Sequence, residues 1–253
     1  MIVLRDAFLI FRYQLRLMVR SPVWFFIGLI QPLFYLALFG PLLHPLKELR
    51  GFPPGDAWQV FVPGLLIQLG IFGSMFVGFG LIAEIRYGVV ERMRVTPVSR
   101  LALLLGRVLR DTLMLLVQAT ILTVIAIVFG LRVSPPGALL TVALVGLLGM
   151  ALSSLSYAAG MWLKSEDALA PLLNMIALPV LLLSGILLPM TLAPPWLFNL
   201  SRLSPFAYVV EAARAAFRGD FDAVTIFAGL IAAALLAAGG LAIATHRFHR
   251  ESA

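Results

Sequence analysis

A charged segment between two apolar stretches contains the residues best suited to bind another molecule. From Glu84 to Asp111 it reads EIRYGVVERMRVTPVSRLALLLGRVLRD and holds six of the nineteen basic residues of the chain. Apolar residues such as Val89 and Met93 alternate with these charges, as they would on a docking surface. This pattern predicts a surface for a partner. Residues 83–108, the part of the stretch that precedes the next apolar span, are here called the island. A solvated charged loop is the alternative.

The sequence predicts no catalytic site and no nucleotide site of its own. It contains neither a G-x-x-x-x-G-K-[ST] phosphate loop nor an H-E-x-x-H zinc motif. It has no cysteine, which excludes disulfides and thiolate metal sites. His44, His246 and His249 lie at or beyond the ends of apolar segments and form no ligand cluster. We therefore expect a protein that is not an enzyme, binds no metal or cofactor itself and receives energy from another chain.

The composition predicts an all-α membrane protein. Hydrophobic residues make up 61% of the 253 residues and charged residues 12%, whereas soluble domains contain about 25% charged residues. A bilayer core of about 30 Å requires about 20 apolar residues per helix, so the length allows six spans in a single transmembrane domain, residues 1–253. The apolar period is helical and not the period of two found in barrels. We attribute the net charge of +7 to membrane topology and not to nucleic acid binding.

The first twenty residues predict an amphipathic helix. Its arginines fall within an arc of about 80° at 100° per residue, and an apolar face lies beside them. The arginines are Arg5, Arg12, Arg16 and Arg20, and the apolar face is Leu4, Phe8, Phe11, Leu15 and Met18. Such a helix lies in the membrane interface with its arginines toward the headgroups. It is either a simple anchor or an elbow that also contacts a cytoplasmic partner.

The apolar runs and their interruptions define the remaining elements. Six spans are predicted at 22–43, 58–82, 109–130, 138–162, 168–188 and 222–245. Gly88 and Thr96-Pro97 interrupt the island, which predicts a helix–break–helix along the membrane surface. Prolines also break the segment 189–219, which predicts a re-entrant or interfacial hairpin of two short helices, because irregular backbone at membrane depth must be satisfied by protein or water.

The distribution of basic residues predicts the orientation. With the N-terminus inside, thirteen Lys and Arg residues lie on the inner side and six on the outer side. Positive charge beside spans is retained in the cytoplasm. Both termini are therefore expected to be cytoplasmic, in a multi-pass protein of the cytoplasmic membrane whose hairpin 189–219 is extracellular.

The spans contain no clear ionisable residue at mid-membrane, since Glu84 and Asp111 are placed at span ends. This argues against a proton-driven carrier, in which such groups mark the pathway. Neutral polar residues in the spans are expected either to hydrogen-bond between helices or to line a pathway. The pathway candidates are Gln31, Gln68, Gln118, Ser153, Tyr157 and Asn174.

Five glycines concentrate in the second span. They are Gly64, Gly70, Gly73, Gly78 and Gly80. Small residues allow helices to approach closely in membranes. The glycines therefore predict close helix packing, and a mobile helix is the alternative.

Three stretches together resemble a known family. They are the Arg-rich start followed by SPVWFF and Gln31–Gly40, then Glu91–Arg100 with Leu103–Arg107, and finally Leu183–Pro189 with Pro195-Trp196 and Leu203–Arg214. In these the chain resembles the permease subunits of ABC-2 type transporters, especially the daunorubicin-resistance type of drug exporter. It departs from many relatives at Ser204, where they have Asn.

The resemblance implies a permease that forms a homodimer, or pairs with a closely related second permease, and binds two ABC ATP-binding subunits carrying ATP and magnesium. The island would be the coupling helix, the N-terminal helix an elbow, and the hairpin an outer gate. Coupling residues would be Glu84, Arg86, Gly88, Glu91, Arg92, Met93, Arg94, Thr96, Pro97 and Arg100. Gate residues would be Pro189, Trp196, Pro205, Tyr208, Glu211 and Arg214.

The implied function is export of a hydrophobic or amphipathic substrate such as a drug or lipid. Export of a polysaccharide or glycolipid is the alternative within the family. A proton-driven carrier is an alternative from another class, and a membrane-embedded enzyme is disfavoured by the missing catalytic motifs.

Overall fold

The structure is a computed structural model that describes residues 2–20, 22–43, 56–89 and 99–250. Within these ranges it is helical, with no strand, which confirms the predicted all-α class. The helices are α1 (Ile2–Arg20), α2 (Val23–Leu43), α3 (Ala57–Met75), α4 (Val77–Arg86), α5 (Arg100–Val128), α6 (Pro135–Leu163), α7 (Glu166–Leu183), α8 (Pro195–Ser201), α9 (Pro205–Arg218) and α10 (Ala223–Arg250), with a 3₁₀ turn at Met190–Leu192.

Five segments of the described chain are long and apolar enough to cross a membrane. They are α3 with α4 as one span, α5, α6, α7 and α10. A sixth is counted if α1 and α2, bent by 73° at their junction, form one broken span. The described chain therefore has five or six candidate spans, which agrees with the predicted multi-pass membrane protein.

Two predicted boundaries are wrong. The island was expected to reach residue 108, but α5 begins at Arg100 and continues into the third span without a break. The fifth span was expected to reach residue 188, but α7 ends at Leu183, and Gly185 then adopts a left-handed φ of 72°. Hydropathy does not locate either boundary. The first turns of α5 and the turn after α7 are as apolar as the spans that they adjoin.

Polar caps determine where several helices begin. Asp56 and Gln59 form a capping box at the start of α3. The Ser99 and Ser134 hydroxyls accept hydrogen bonds from the Ala102 and Gly137 amides at the starts of α5 and α6. Such caps satisfy amides that have no partner within the helix. Short polar residues thus separate long apolar helices that would otherwise read as continuous.

Helix α6 lies at the centre of the bundle and contacts α3, α4, α5, α9 and α10. Glycines bring the backbones together. A Cβ atom at Gly160 would lie 2.9 Å from the Gly78 carbonyl oxygen, and one at Gly240 would lie 2.5 Å from that of Ala151. In the second span, Gly64, Gly70, Gly73 and Gly78 face close neighbours as predicted, whereas Gly80 has none within 4 Å.

A side chain from α6 bridges the break between α3 and α4. The Ser156 hydroxyl donates to the Met75 carbonyl at 2.6 Å and accepts from the Gly78 amide at 2.9 Å. The break therefore leaves these two backbone groups satisfied inside the protein, as membrane burial requires. Ser156 also ties α6 to both halves of this span.

Helix α1 packs along the beginning of α5. Ala7 and Gln14 are buried, and a Cβ atom at Gly106 of α5 would lie 2.7 Å from Ile10. The four predicted arginines of α1 are exposed. The apolar face was predicted only in part, since Leu4 and Phe8 are exposed while Ala7, Ile10 and Gln14 form the packed side.

Adjacent glycines of α10 test the close packing. Gly240→Ala places a methyl group against the Ala151 carbonyl and should destabilise the protein by about 1–3 kcal/mol, as overpacking does. Gly239→Ala is the matched control, because it meets nothing within 4 Å and gains about 0.5–1 kcal/mol of helix propensity. Unfolding in detergent measures both. Equal midpoints for the two variants would contradict the packing of α10 on α6.

Candidate functional site

The first polar cluster, the Asp111 cluster, joins α4, α5 and α6 at the end of the bundle next to the island. Arg107 pairs with Glu84 at 2.5 Å, and Arg110 pairs with Asp111 at 2.6 Å. The Tyr157 hydroxyl donates to Asp111 at 2.5 Å and accepts from Arg110 at 3.1 Å. Two cations face two carboxylates, so the described partners balance in charge.

This cluster was not predicted from the sequence. Asp111 was expected at the cytoplasmic end of a span and Tyr157 was a pathway candidate, and the structure buries both, with Asp111 only 4% exposed. The cluster lies at the end of the spans, where Asp111 was placed, and the expectation of no ionisable residue at mid-membrane stays a prediction. Because Arg110 balances the Asp111 charge, the cluster is suited to hold three helices in one arrangement.

The two edges of the island lie beside this cluster. Arg86, the last residue of α4, pairs with Glu166 at the start of α7 at 3.5 Å, and both side chains are exposed. Gly88 follows in a turn with a left-handed φ of 67°. Arg100 is the first residue of α5. The predicted coupling residues Glu91, Arg92, Met93, Arg94, Thr96 and Pro97 lie outside the described residues.

The second polar cluster, the Arg214 cluster, lies at the opposite end of the bundle. The Arg214 guanidinium, on α9, donates to the Val60 carbonyl of α3 at 2.9 Å and to the Gly185 and Ile186 carbonyls at 2.8 and 3.2 Å. The last two belong to the turn that follows α7. Arg214 is 5% exposed. Burial lowers its pKa to about 10, so it is still protonated at neutral pH.

The other predicted gate residues differ in their contacts and in their exposure. Arg202 pairs with Glu211 at 2.8 Å, and the Tyr208 hydroxyl donates to the Arg202 carbonyl at 3.0 Å. Pro205 begins α9. Pro189 is buried, whereas Trp196 on α8 is 67% exposed.

The two hairpin helices differ in their surroundings. Most of α9 is buried, against α3, α6 and α10, whereas in α8 only Ser201 is buried. The structure thus has two short helices in this segment, with one of them built into the core, and their arrangement as a re-entrant hairpin stays a prediction. Its placement relative to a membrane stays a prediction.

The pathway candidates do not converge on one surface of the chain. Gln31 and Asn174 are exposed, on α2 and α7. Gln68, Gln118, Ser153 and Tyr157 are buried. Gln118 donates to the Phe25 carbonyl at 2.8 Å and so joins α5 to α2, whereas the Gln68 side-chain oxygen has no hydrogen-bond partner among the described residues. A pathway within one copy would need these residues to move, and their pathway role stays a prediction.

Among the described residues, no three His, Asp or Glu side chains come together in a metal-binding arrangement. The two polar clusters instead consist of arginines held by carboxylates, a phenol and carbonyls. Their chemistry is that of helix-to-helix contacts. One signal in the sequence could have indicated these clusters. It is the presence of ionisable residues within or directly beside apolar helical stretches, where folding can bury them.

A membrane-spanning helical bundle with charged contacts at both ends is the class that this geometry defines. A family model for the ABC-2 type transporter matches residues 5–218, and the chain belongs to that family. It is 26% identical to the transport permease ycf38 of Cyanophora paradoxa over 197 residues, 77% of this chain and 68% of that protein. It is 27% identical to ycf38 of Porphyra purpurea over 198 residues, with the same shares.

A third relative is named for drug resistance. The chain is 23% identical to the daunorubicin resistance ABC transporter permease protein DrrB1 of Streptomyces coeruleorubidus. The match covers 166 residues, 64% of this chain and 58% of that protein. The predicted family resemblance is thereby confirmed.

Removing one partner of the Asp111 cluster should destabilise the bundle. Asp111→Ala leaves the half-buried Arg110 without its carboxylate and the buried Tyr157 hydroxyl without its acceptor, and a buried donor left unsatisfied costs about 1–3 kcal/mol. Arg86→Gln is the control, because exposed pairs contribute at most about 1 kcal/mol. Unfolding midpoints of both variants in detergent measure the difference. A smaller loss for Asp111→Ala than for Arg86→Gln would contradict a stabilising role for the cluster.

Proposed function

We propose that the chain is the permease subunit of an ATP-driven ABC-2 exporter for a hydrophobic or amphipathic substrate such as a drug or lipid. The family match over residues 5–218 is the observation that carries this proposal. The relative named for daunorubicin resistance supports a drug-like substrate. The proposed protein is a multi-pass component of the cytoplasmic membrane with both termini in the cytoplasm.

In the proposed assembly, two permease copies, or this chain and a closely related one, bind two ATP-binding subunits. The coupling surface lies between Glu84 and Arg100. In support, α4 and α5 enter this region from the same end of the bundle, and the Glu84–Arg107 pair holds them together at its base. A displacement of α5 by a bound partner would be transmitted to α6 through the Tyr157–Asp111 hydrogen bond.

The exposed side of α1 supports its proposed second role as an elbow. Its arginines are on the surface, while its packed side lies on α5 near Gly106. Contact with an ATP-binding subunit would therefore be transmitted to the same helix that emerges from the island. Nucleotide binding would bias an equilibrium between inward- and outward-facing states.

Export of a glycolipid or polysaccharide is the second candidate within the family. The observation that favours it is a row of stacked, half-buried rings along α3 and α4. Phe76 lies 6.4 Å from Phe72 and 6.0 Å from Phe79, measured between ring centroids. Aromatic rings on a passage would suit sugars. Transport assays with a glycolipid and an amphipathic drug would separate the two.

A proton-driven carrier is the alternative from another class. The structure weakens the sequence argument against it, because Asp111 is a buried carboxylate. Its pairing with Arg110 favours a structural role. Transport that continues without nucleotide but stops when the proton gradient is dissipated would select the carrier.

Recovery of the chain from its native membranes tests the main proposal. We expect a stoichiometric ATP-binding subunit to copurify with the tagged chain, identified by mass spectrometry. A known ABC complex recovered under the same conditions is the control. Isolation of the chain alone, with the control intact, would contradict the proposed half-transporter.

Charge reversal in the island tests the coupling surface. Glu91→Lys and Arg92→Glu should each reduce transport and substrate-stimulated ATP hydrolysis by about tenfold or more, the effect of about 1.4 kcal/mol of lost binding energy. Membrane insertion should be unchanged. Asp220→Lys, an exposed site near the opposite end, is the control. Normal transport and stimulation in both island variants would remove these residues from the docking surface.

A further inference from the structure

Arg214 is a buried cation whose described hydrogen-bond partners are main-chain carbonyls. It joins three separate elements: α9, which carries it, α3 through Val60, and the turn after α7 through Gly185 and Ile186. Val60 lies 154 positions away in the sequence. A single side chain therefore connects the hairpin to two spans.

The surroundings of Arg214 are shaped to admit these carbonyls. A Cβ atom at Gly64 would collide with the Ile186 carbonyl oxygen and would lie 3.5 Å from the Arg214 guanidinium. Gly185 has a left-handed φ of 72°, a conformation that glycine adopts without strain. Only a residue without a side chain at position 64 lets the turn reach the guanidinium undisturbed.

The nearest acidic residue on the same helix makes its ion pair with another arginine and acts on Arg214 only at longer range. Glu211, three positions before Arg214, pairs with Arg202 at 2.8 Å. The hydrogen bonds that hold the Arg214 charge among the described residues are therefore all to carbonyls. A buried charge is stable only while its hydrogen bonds are complete, so separation of the three elements has to expose Arg214 to water. This makes the contact close fully or open fully.

We propose that Arg214 is a positioning residue that latches the hairpin end of the bundle shut. The latch comprises Arg214, Gly64 and the turn Gly185–Ile186. Its release separates α9 from α3 and from the end of α7, and this opens the hairpin end. The functional meaning rests on the proposed exporter role, in which the hairpin is the outer gate.

A cysteine reporter measures opening in the full chain. The natural sequence has no cysteine, so one introduced thiol is labelled without background. Ser184→Cys is nearly isosteric and lies beside the turn, at a position that is 2% exposed. Ser154→Cys, in α6 and equally buried, reports general loosening. The labelling rates of both are measured with a water-soluble maleimide on the chain in lipid nanodiscs.

Loss of the latch should accelerate labelling only at the reporter beside it. Arg214→Met should raise the Ser184→Cys labelling rate by about tenfold or more, the factor for one lost hydrogen bond to a charged group. The Ser154→Cys rate should be unchanged. Arg214→Lys keeps the charge but loses the fork of donors, and should give an intermediate rate.

Gly64→Ala provides a second test that leaves Arg214 in place. Its methyl group displaces the Ile186 carbonyl, and the Ser184→Cys reporter should again label faster. Gly80→Ala is the matched control in the same span, because it meets no atom within 4 Å, and should leave the rate unchanged. Unchanged labelling in Arg214→Met, or equal acceleration of both reporters in Arg214→Met and Gly64→Ala, would overturn the latch.

The labelling comparison separates the latch from the transport proposal, since it requires neither a substrate nor an ATP-binding subunit. A chain that shows the latch but never copurifies with an ATP-binding subunit would refute the exporter and retain the latch. A chain that copurifies and transports but shows no selective labelling would refute the latch alone.

Discussion

Close approach of helix backbones is the constraint on which the rest of this structure depends. Lipid is as apolar as leucine, so helices in a bilayer gain little from simply hiding apolar surface. Packing and hydrogen bonds must hold them together instead. Helix α6 meets these needs at the centre, where Gly78, Gly160 and Gly240 let main chains touch. The same closeness lets the Ser156 hydroxyl bridge the break between α3 and α4.

Once the backbones are this close, a few charged side chains can fasten the two ends of the bundle. Carboxylates balance the arginines of the Asp111 cluster, which joins α4, α5 and α6. Carbonyls hold Arg214, which joins α9 to α3 and to the turn after α7. The first contact balances charge with charge and suits a permanent connection. The second holds a charge through hydrogen bonds to carbonyls, which suits the proposed latch.

The spans differ in how much of their length is buried against other helices. In the most apolar stretch of the second span, 67% of the residues are buried, whereas in that of α7 only 17% are buried. Yet α7 contacts the rest of the chain at both ends, through Glu166 with Arg86 and through the turn with Arg214. A helix held mainly at its ends can shift more readily than one packed along its length. This places α7 between the island and the hairpin.

The sequence alone determined the helical membrane class, the approximate spans and the family, whereas the island as a coupling surface and the segment 189–219 as a re-entrant hairpin stay predictions. These follow from hydropathy, proline, charge and short motifs, all of which are local properties of the chain. Tertiary structure alone decided that Asp111 meets Tyr157, 46 positions away, and that Arg214 meets the Val60 carbonyl. It also decided that Gly240 is packed while its neighbour Gly239 is free. Such pairings depend on which face of each helix meets its neighbour, and a one-residue rotation of 100° changes that face without altering composition or hydropathy.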